Sequence, residues 1–415
     1  MIPRRVVVTG VGVVSPVGNS KETAWPAVRD GRSGIRKIAL FDTTAYDVHI
    51  AGEITEFEPL DYFTKRDLNR LDRFVQFAMV AAENARKDAG LELDKEDRRR
   101  IGAFIGTGIG GLHEIEAQHS RLIESGPNRT SPLLIPKLMT NAAAGQVAMR
   151  LGILGPTMSC SSACASASHA IGEAFQSIRY GMADVQLTGG SEAAITPMGL
   201  SGFQQMKALS TRNDEPTRAS RPFDVHRDGF VMAEGSAILI LEELEHARRR
   251  GAPILAELAG YGASSDAYHI TLPEPEGKGA ARAMVNAMAD AAVAPQDIDY
   301  INAHGTSTPA GDDVEAKAIC AVFADHAHKL AVSSSKSVFG HLLGASGALE
   351  SAVCIWAIQD NVCPPTINLE DPDPECCGLN FVPLHAQERK LNVVLNNSFG
   401  FGGHNVSLLF RKFAG

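Results

Sequence analysis

The sequence has no long apolar run and no concentration of charge of one sign. No stretch approaches the roughly 20 apolar residues needed to span a bilayer, and the apolar run at 6–10 is shorter than the apolar region of a signal peptide. The formal net charge of -9 comes from 39 basic and 48 acidic residues spread along the chain. We therefore expect no membrane span, no nucleic-acid partner and a cytoplasmic location.

The cysteines form neither a disulfide framework nor a zinc site. There are 7 of them, an odd number, and no pair of Cys-x-x-Cys units occurs. Most should be reduced. Cys320 and Cys354 lie in apolar helical runs, and we expect both to be core thiols because a free cysteine packs as a small hydrophobe.

What the sequence does contain is an alternation of strands and helices. Ala-rich stretches of helical period, such as 74–89, follow short β-branched runs. This alternation is typical of an α/β protein, and 415 residues are enough for two domains or one duplicated unit. The predicted strands are 5–9, 101–106, 185–188, 255–258, 300–303 and 391–395.

The second half of the sequence resembles the first. In each half an Ala-rich helix leads to a strand that ends in Gly-Thr, at 106–107 and at 305–306. Serine-rich segments at 161–164 and 333–336 then each precede a helix. We interpret the chain as two copies of one βαβ-rich unit, with domains 1–251 and 252–415. A pseudo-twofold axis would bring strand ends of both halves to one central site.

Cys164 is the candidate nucleophile. Small residues flank it, and a predicted helix begins at or just after it and runs to about Tyr180. Unpaired N–H groups and the helix dipole at that end are expected to lower the pKa of the thiol below its usual value of about 8.5. The alternative for this segment is a buried structural cysteine.

Two histidines lie in settings suited to acid–base chemistry. His304 follows a predicted strand and precedes Gly305, while His341 follows Gly340, and glycine permits close approach to a ligand. A lone histidine is more often structural, but two of them with Cys164 suit nucleophilic catalysis. The glycine-rich turn at 400–403 could direct N–H groups at an oxyanion, or form a tight hairpin.

A Gly-x-Gly-x-x-Gly spacing at 106–111 offers an alternative function. With Glu124 as a ribose contact it would indicate a dinucleotide-dependent oxidoreductase. The motif follows a long helical section rather than a leading βαβ unit, and its counterpart at 304–306 has no such spacing. We therefore disfavour this interpretation.

Taken together, these segments resemble the elongating β-ketoacyl-acyl-carrier-protein synthases, most closely the synthase II type of bacterial fatty-acid synthesis. The resemblance runs from Val6 to Gly403 and is carried by the Cys164, His304 and Lys336/His341 segments and by Gly-Phe-Gly-Gly at 400–403. It implies a thiolase-like fold of two duplicated halves, in α/β/α/β/α layers, and a homodimer.

The resemblance implies a decarboxylative Claisen condensation. Cys164 would accept an acyl group from an acyl carrier protein, with the backbone N–H groups of Cys164 and Phe401 as oxyanion hole. His304 and His341 would stabilise the enolate formed when malonyl-carrier protein loses carbon dioxide, and Lys336 would orient and support His341. No cofactor is required, because phosphopantetheine arrives on the carrier.

Further positions match ones that contact substrate in this family. Thr306 and Thr308 match positions that bind the pantetheine arm, and Phe401 matches a gate between acyl pocket and malonyl site. Ile109 matches the position that limits chain length at the dimer interface. Phe203 is a further substrate-binding candidate.

Two other features are implied by the resemblance. A monovalent cation site is expected at Asn302, Glu350, Asn396 and Asn397, with a hydrogen-bonded polar core as the alternative. Asn69 and Asn128 stand where basic residues often occur in the carrier-docking surface. The basic residues expected to meet the acidic carrier are Lys65, Arg66, Arg70, Arg129 and Lys207.

Two related functions remain as alternatives. A polyketide-type ketosynthase would keep the same three catalytic side chains and change only the substrate. A non-condensing chain-length factor would lack the nucleophile, and Cys164 argues against it.

Overall fold

The computed structural model describes residues 3–415, and the fold is organised around one sheet of ten strands. Five strands come from the first part of the chain: β1 Val6–Val14, β2 Ile101–Gly106, β3 Thr157–Met158, β4 Val185–Glu192 and β5 Gly235–Glu243. The other five are β6 Ala256–Ser265, β7 Tyr300–Asn302, β8 Ala331–Ser333, β9 Val393–Gly400 and β10 His404–Arg411.

The two sets of strands have the same arrangement. From the middle of the sheet outward the first set runs β1, β5, β4, β2, β3, and the second runs β6, β10, β9, β7, β8. In each set the two inner pairings are antiparallel and the two outer ones parallel. The sets join where β1 pairs with β6 over Val6↔Leu258, Val7↔Glu257 and Val8↔Ala256. This repetition confirms the predicted duplicated α/β fold.

Helices lie on both faces of the sheet. Those of the first part are α1 Lys21–Arg29, α2 Lys65–Leu68, α3 Arg73–Asp88, α4 Leu112–Ser125, α5 Leu134–Leu138, α6 Ala142–Leu151, α7 Ser166–Arg179, α8 Pro197–Gln205 and α9 Leu244–Arg249. Those of the second part are α10 Lys278–Asp290, α11 Pro309–Phe323, α12 Lys336–Phe339 and α13 Ser346–Asp360.

Helices α7 and α13 form the middle layer. They contact each other; α7 packs on β2, β4 and β6, and α13 packs on β5 and β9. On one outer face, α3 and α6 cover the strands of the first part of the chain. On the other, α10 packs on β6 and β10, and α11 packs on α10. Residues 346–358 of α13 are buried on every side, as expected for a helix inside a core. These are the five predicted layers.

Small residues make the middle layer possible. A Cβ at Gly172 of α7 would lie 2.4 Å from the ring of Tyr261 on β6, so a larger residue would separate the helix from the sheet.

The predicted strands begin within two residues of the observed ones, but several of the observed strands continue further than predicted. The predicted strand at 101–106 is β2, and the helix at 74–89 is α3. The strand predicted at 391–395 begins at Val393 and continues to Gly400, because it pairs with β10 along its whole length. The predicted domain boundary at 251/252 falls between α9 and β6. Within residues 3–415, no helix combines the length and apolar character that crossing a bilayer requires.

A charged cluster holds α9 against β5. The buried carboxylate of Glu242 accepts hydrogen bonds from Arg250 Nε at 2.8 Å and contacts His246 Nδ1 at 2.8 Å. The other ring nitrogen of His246 lies 3.0 Å from Glu96. The hydrogen bond with Glu242 raises the pKa of His246, against the opposing effect of burial.

Stability should therefore depend on His246 in a pH-sensitive way. Because the pKa of His246 is raised in the folded protein, its protonated ring contributes to the free energy of unfolding. This contribution is complete below the ordinary pKa near 6.5 and is lost as the pH rises through the pKa of the folded state. Urea unfolding should show that His246→Gln costs on the order of 1–2 kcal/mol at about pH 6, and less at about pH 8.5. His385→Gln, at an exposed site, is the matched control. An equal cost of His246→Gln at both pH values would contradict this account.

Candidate active site

Cys164 lies at a strained turn that opens into a cavity of about 350 Å³. The preceding residue, Ala163, has φ +50°, in the left-handed region that side chains with a Cβ rarely adopt. Ser166 closes the turn, since its Oγ donates to Ala163 O at 2.6 Å and accepts from the Ser162 N–H at 2.9 Å. Helix α7 begins at Ser166, so the sulfur is placed at its start as predicted.

His341 comes from the second half and reaches the same cavity. Its Nε2 lies 3.1 Å from Cys164 Sγ, and its Nδ1 lies 2.7 Å from Ser346 Oγ. Its N–H donates to Val231 O at 2.7 Å, and its carbonyl accepts from Ala233 N at 2.9 Å. Contacts on the backbone and on both ring nitrogens therefore fix the orientation of the imidazole.

His304 follows β7 and faces His341. The two ring centroids are 5.5 Å apart and the planes are nearly perpendicular, at 84°. Glu315 of α11 accepts the N–H of His304 at 2.8 Å and that of Gly305 at 2.7 Å. The carboxylate of Glu315 therefore fixes the backbone just after β7 and with it the position of His304.

Lys336 is fully buried beneath the two histidines. Its Nζ donates to His304 O at 2.6 Å, lies 3.3 Å from His304 Nδ1, and forms an ion pair with Glu350. The sequence led us to expect Lys336 beside His341. Its hydrogen bonds go to His304 instead, while its charge influences both rings.

The sequence-predicted thiol and histidines thus come together. The nearest ligand atoms of Cys164, His304 and His341 all lie within 4.8 Å of one another. Such a set could bind a zinc-like ion, but the ammonium of Lys336 beside His304 opposes a second cation there. We interpret the three as a nucleophile with two hydrogen-bonding groups.

The thiol and both imidazoles are neutral in the resting site. Although Cys164 keeps some exposure to the cavity, burial raises the pKa of its thiol to about 11, against the charge of Lys336. Our prediction that the helix terminus would lower this pKa was wrong, because desolvation is the larger effect. Burial also holds the pKa values of His304 and His341 well below 6.5, and Lys336 lowers both further.

The glycine-rich turn brings backbone amides to Cys164. The N–H groups of Phe401 and of Cys164 itself act on the sulfur and lower the pKa of the thiol, against the larger effect of burial. A Cβ at Gly400 would lie 2.8 Å from Ser162 O and 3.1 Å from Cys164 N, so only glycine allows this approach. The turn also joins β9 to β10, which confirms the hairpin interpretation of the segment, while the oxyanion role of its N–H groups stays a prediction.

Four predicted substrate-binding residues line the cavity. They are Thr306, Thr308, Phe203 and Phe401. The hydroxyls of Thr306 and Thr308 are 2.9 Å apart. Ile109 lies outside the cavity lining and packs in an apolar cluster that includes Phe203 and Leu343.

The residues predicted to bind a monovalent cation form a buried polar group. Asn302 donates to Glu350 O at 3.3 Å, and Asn396 donates to Gly347 O at 3.0 Å, whereas Asn397 donates to Glu315 at 3.2 Å. Glu350 Oε2 and Asn396 Oδ1 are buried without a hydrogen-bond partner. Oxygen atoms of this kind fit a hard cation, so the cation site stays a prediction.

Three residues of the site escaped the sequence analysis: Ser346, Glu315 and Glu192. Asp312 and Glu315 lie one turn apart on α11, and both accept N–H groups of the loop after β7. Two acids at that spacing on the helix following His304 are the signal that could have revealed Glu315.

The predicted carrier-docking residues are all exposed. Lys207 also lies at the cavity mouth. The others, which do not line the cavity, are Lys65, Arg66, Arg70 and Arg129.

Comparison with known proteins yields matches along nearly the whole chain. The family described as "Beta-ketoacyl synthase, N-terminal domain" matches residues 3–247, and "Beta-ketoacyl synthase, C-terminal domain" matches residues 255–370. A 3-oxoacyl-[acyl-carrier-protein] synthase 2 from Coxiella burnetii is 50% identical over 412 residues, covering 99% of both chains. One from Synechocystis sp. is 48% identical over 410 residues, covering 99% of this chain and 98% of the relative.

Solved structures agree with the fold. A type II polyketide ketosynthase in complex with its acyl-carrier protein has a TM-score of 0.92 at 35% identity, covering 99% of this chain and 100% of that one. A beta-ketoacyl synthase from Burkholderia phymatum has a TM-score of 0.92 at 35% identity with the same coverage.

The neutral thiol predicts a particular alkylation profile. Because the pKa of Cys164 is raised to about 11, the thiolate fraction should grow tenfold per pH unit well past neutrality. The rate of Cys164 alkylation by iodoacetamide, followed by peptide mass spectrometry, should rise without a plateau from about pH 7 to about pH 9.5. A plateau below about pH 8 would show instead a thiolate stabilised by the helix terminus.

Proposed function

This chain belongs to the β-ketoacyl synthase family, and we propose that it is a 3-oxoacyl-acyl-carrier-protein synthase that elongates fatty acyl chains by two carbons. The observation that carries this proposal is the 3.1 Å contact between Cys164 Sγ and His341 Nε2, in a cavity that His304 also lines.

The first step transfers the acyl group to Cys164. As the sulfur attacks the thioester carbonyl of the acyl-carrier protein, His341 Nε2 takes the thiol proton. The N–H groups of Cys164 and Phe401 bind the oxyanion. The carbon–sulfur bond to the carrier then breaks, and the departing pantetheine thiolate takes the proton from His341 and leaves as a thiol.

The second step needs both histidines as donors. The thioester oxygen of malonyl-carrier protein accepts hydrogen bonds from their Nε2–H groups while carbon dioxide leaves and the electron pair forms the enolate. Lys336 can only donate, so its contact with His304 Nδ1 keeps the His304 proton on Nε2. The enolate carbon then attacks the Cys164 thioester, displacing the sulfur as thiolate and releasing 3-oxoacyl-carrier protein.

Ser346 allows the proton of the His341 ring to lie on either nitrogen, whereas Lys336 fixes the proton of His304 on Nε2. A hydroxyl can accept from Nδ1–H or donate to a bare Nδ1, whereas an ammonium can only donate. With Ser346 accepting, Nε2 of His341 is free to take the thiol proton. With Ser346 donating, Nε2 carries the proton needed for decarboxylation. The same ring can therefore serve both steps.

We infer three further properties of the protein. It requires no cofactor of its own, because the pantetheine thiol arrives on the acyl carrier protein. It acts in the cytoplasm, which suits its seven free cysteines. It docks an acidic carrier at the cavity mouth, where Lys207 is exposed; one structural neighbour is a ketosynthase in complex with its acyl-carrier protein.

We propose that the protein forms a homodimer through the open edge of the sheet. Strand β3 pairs on one side alone, and an open edge of this kind invites a partner strand. Apolar side chains around it are exposed, with Met149 at 69%, Leu154 at 71% and Met158 at 42%. A second copy of the chain would cover this patch.

Fatty-acid elongation is favoured over polyketide synthesis. The curated relatives named 3-oxoacyl-[acyl-carrier-protein] synthase 2 are 48% to 50% identical to this chain. The polyketide ketosynthase among the structural neighbours is 35% identical.

Replacing the nucleophile should abolish condensation. Cys164→Ala should lower the rate of 3-oxoacyl-carrier formation by more than roughly a thousandfold while the melting temperature stays unchanged. Cys160→Ala, four residues away and outside the cavity lining, is the matched control and should retain activity. A Cys164→Ala enzyme that still elongates acyl primers would refute the proposal.

His341→Ala should affect the two half-reactions unequally. Malonyl decarboxylation loses one of two enolate donors and should fall by roughly a hundredfold or more. Transfer of the acyl group to Cys164 loses its proton acceptor but keeps the oxyanion hole, so it should also fall, but by less; mass spectrometry of the acyl-enzyme measures it. Equal losses in both half-reactions would exclude this division of roles.

A further inference from the structure

Glu192 is a buried carboxylate at the end of β4 that only hydrogen-bond donors surround. Its Oε1 accepts from Thr107 Oγ1 at 2.8 Å and from Ile109 N at 3.2 Å. Its Oε2 accepts from Gly108 N at 2.7 Å and from Gly344 N at 3.0 Å. The amides that a dinucleotide phosphate would need at the Gly-x-Gly-x-x-Gly segment are therefore occupied by a side chain of the protein.

The hydrogen-bond directions favour the ionised carboxylate. The hydroxyl of Thr107 accepts the N–H of Gly110 at 3.2 Å, so its proton points to Glu192. The other three partners are amides and can only donate. Burial raises the pKa of Glu192, and these four donors oppose that rise.

The carboxylate connects the two halves of the protein at the site. Three donors belong to the turn after β2, and the fourth, Gly344, lies three residues after His341 in the second half. A Cβ at Gly344 would lie 2.6 Å from Glu192 Oε2 and 2.1 Å from Gly108 N. Glycine at 344 is therefore required for the two turns to close on the carboxylate.

The two turns carry apolar residues of one cluster. Ile109 follows Gly108, and Leu343 precedes Gly344; both belong to the apolar cluster that also includes Phe203. Leu343 has φ +49°, a strained conformation for a branched side chain, and it lines the cavity. The hydrogen bond from the next amide to Glu192 stabilises that conformation.

We propose that Glu192 is a positioning residue whose carboxylate holds Ile109 and Leu343 in register and so sets the length of acyl chain that the apolar cluster accepts. The part that concerns acyl length rests on the proposed function. Glu192 touches no reacting atom; it acts through the two turns.

A second effect of Glu192 can be measured without the reaction. The charged or titratable groups near the Cys164 thiol are Lys336, Glu192, His304 and His341. The negative charge of Glu192 raises the pKa of the thiol, whereas the positive charge of Lys336 lowers it. Removing the charge of Glu192 should therefore make the thiol more acidic.

The test compares Glu192→Gln with the wild-type enzyme. The new amide group turns its N–H atoms toward two donors, so the turns lose hydrogen bonds while the side-chain volume is kept. The ratio of kcat/KM for a tetradecanoyl primer to that for a hexanoyl primer should fall by about fivefold or more, because the longer chain must extend further into the apolar cluster. Alkylation of Cys164 at about pH 8 should become roughly threefold faster.

Glu53→Gln is the matched control. Glu53 is also a buried carboxylate that accepts backbone amides, those of Ala39 and Leu40, and it does not line the cavity. It should leave both readouts unchanged. If Glu192→Gln loses activity equally with both primers and alkylates at the wild-type rate, Glu192 is a structural residue and the proposal fails.

Two further measurements apply if Glu192→Gln does not fold or if the wild-type enzyme is inactive. If Glu192→Gln does not fold, Thr107→Val removes one donor at constant shape and should shift the primer ratio in the same direction; an unchanged ratio would overturn the proposal. If the wild-type enzyme condenses neither primer, the proposed function fails. In that case an alkylation rate unchanged by Glu192→Gln would independently refute the electrostatic influence of Glu192 on the thiol.

Discussion

The site depends on one buried ammonium group. Lys336 has no exposure, so its charge must be matched within the protein, and the carboxylate of Glu350 and the carbonyl of His304 provide the partners. Burial is the main reason why both imidazoles are neutral, and from this position the charge of Lys336 lowers their pKa values further and favours the thiolate of Cys164. The proposed chemistry needs neutral imidazoles because His341 must accept the thiol proton, which an imidazolium cannot do, while a neutral ring can still donate one Nε2–H to the enolate. A neutral lysine at the same place would remove that bias.

Burial and charge act against each other on the nucleophile. The start of α7 and two backbone amides favour the thiolate, but the surrounding protein raises the thiol pKa to about 11. The thiol therefore becomes reactive when His341 accepts its proton during attack, rather than resting as an anion. The free enzyme thereby avoids exposing a permanent thiolate at the bottom of an open cavity.

The sequence alone predicts the fold and the residues that the proposed chemistry uses. It does not predict the side chains and backbone groups that those residues contact. Strand and helix periods are local, so β2 and α3 were predicted almost to the residue. The two Gly-Thr strand ends indicated the duplication. The pKa of Cys164 was predicted in the wrong direction because desolvation depends on distant packing. The contacts of Lys336 with His304 and of Glu192 with Gly344 join segments 32 and 152 residues apart, and no local pattern reports them.

The repeated strand order also has a historical consequence. Equivalent places in the two halves now hold different groups. The thiol of Cys164 precedes α7, whereas the ammonium of Lys336 and the imidazole of His341 precede α13. An ancestor with two identical copies would have placed the same side chain at both positions. The chemical asymmetry of the present site therefore had to arise after the gene was doubled, by independent substitution in each copy.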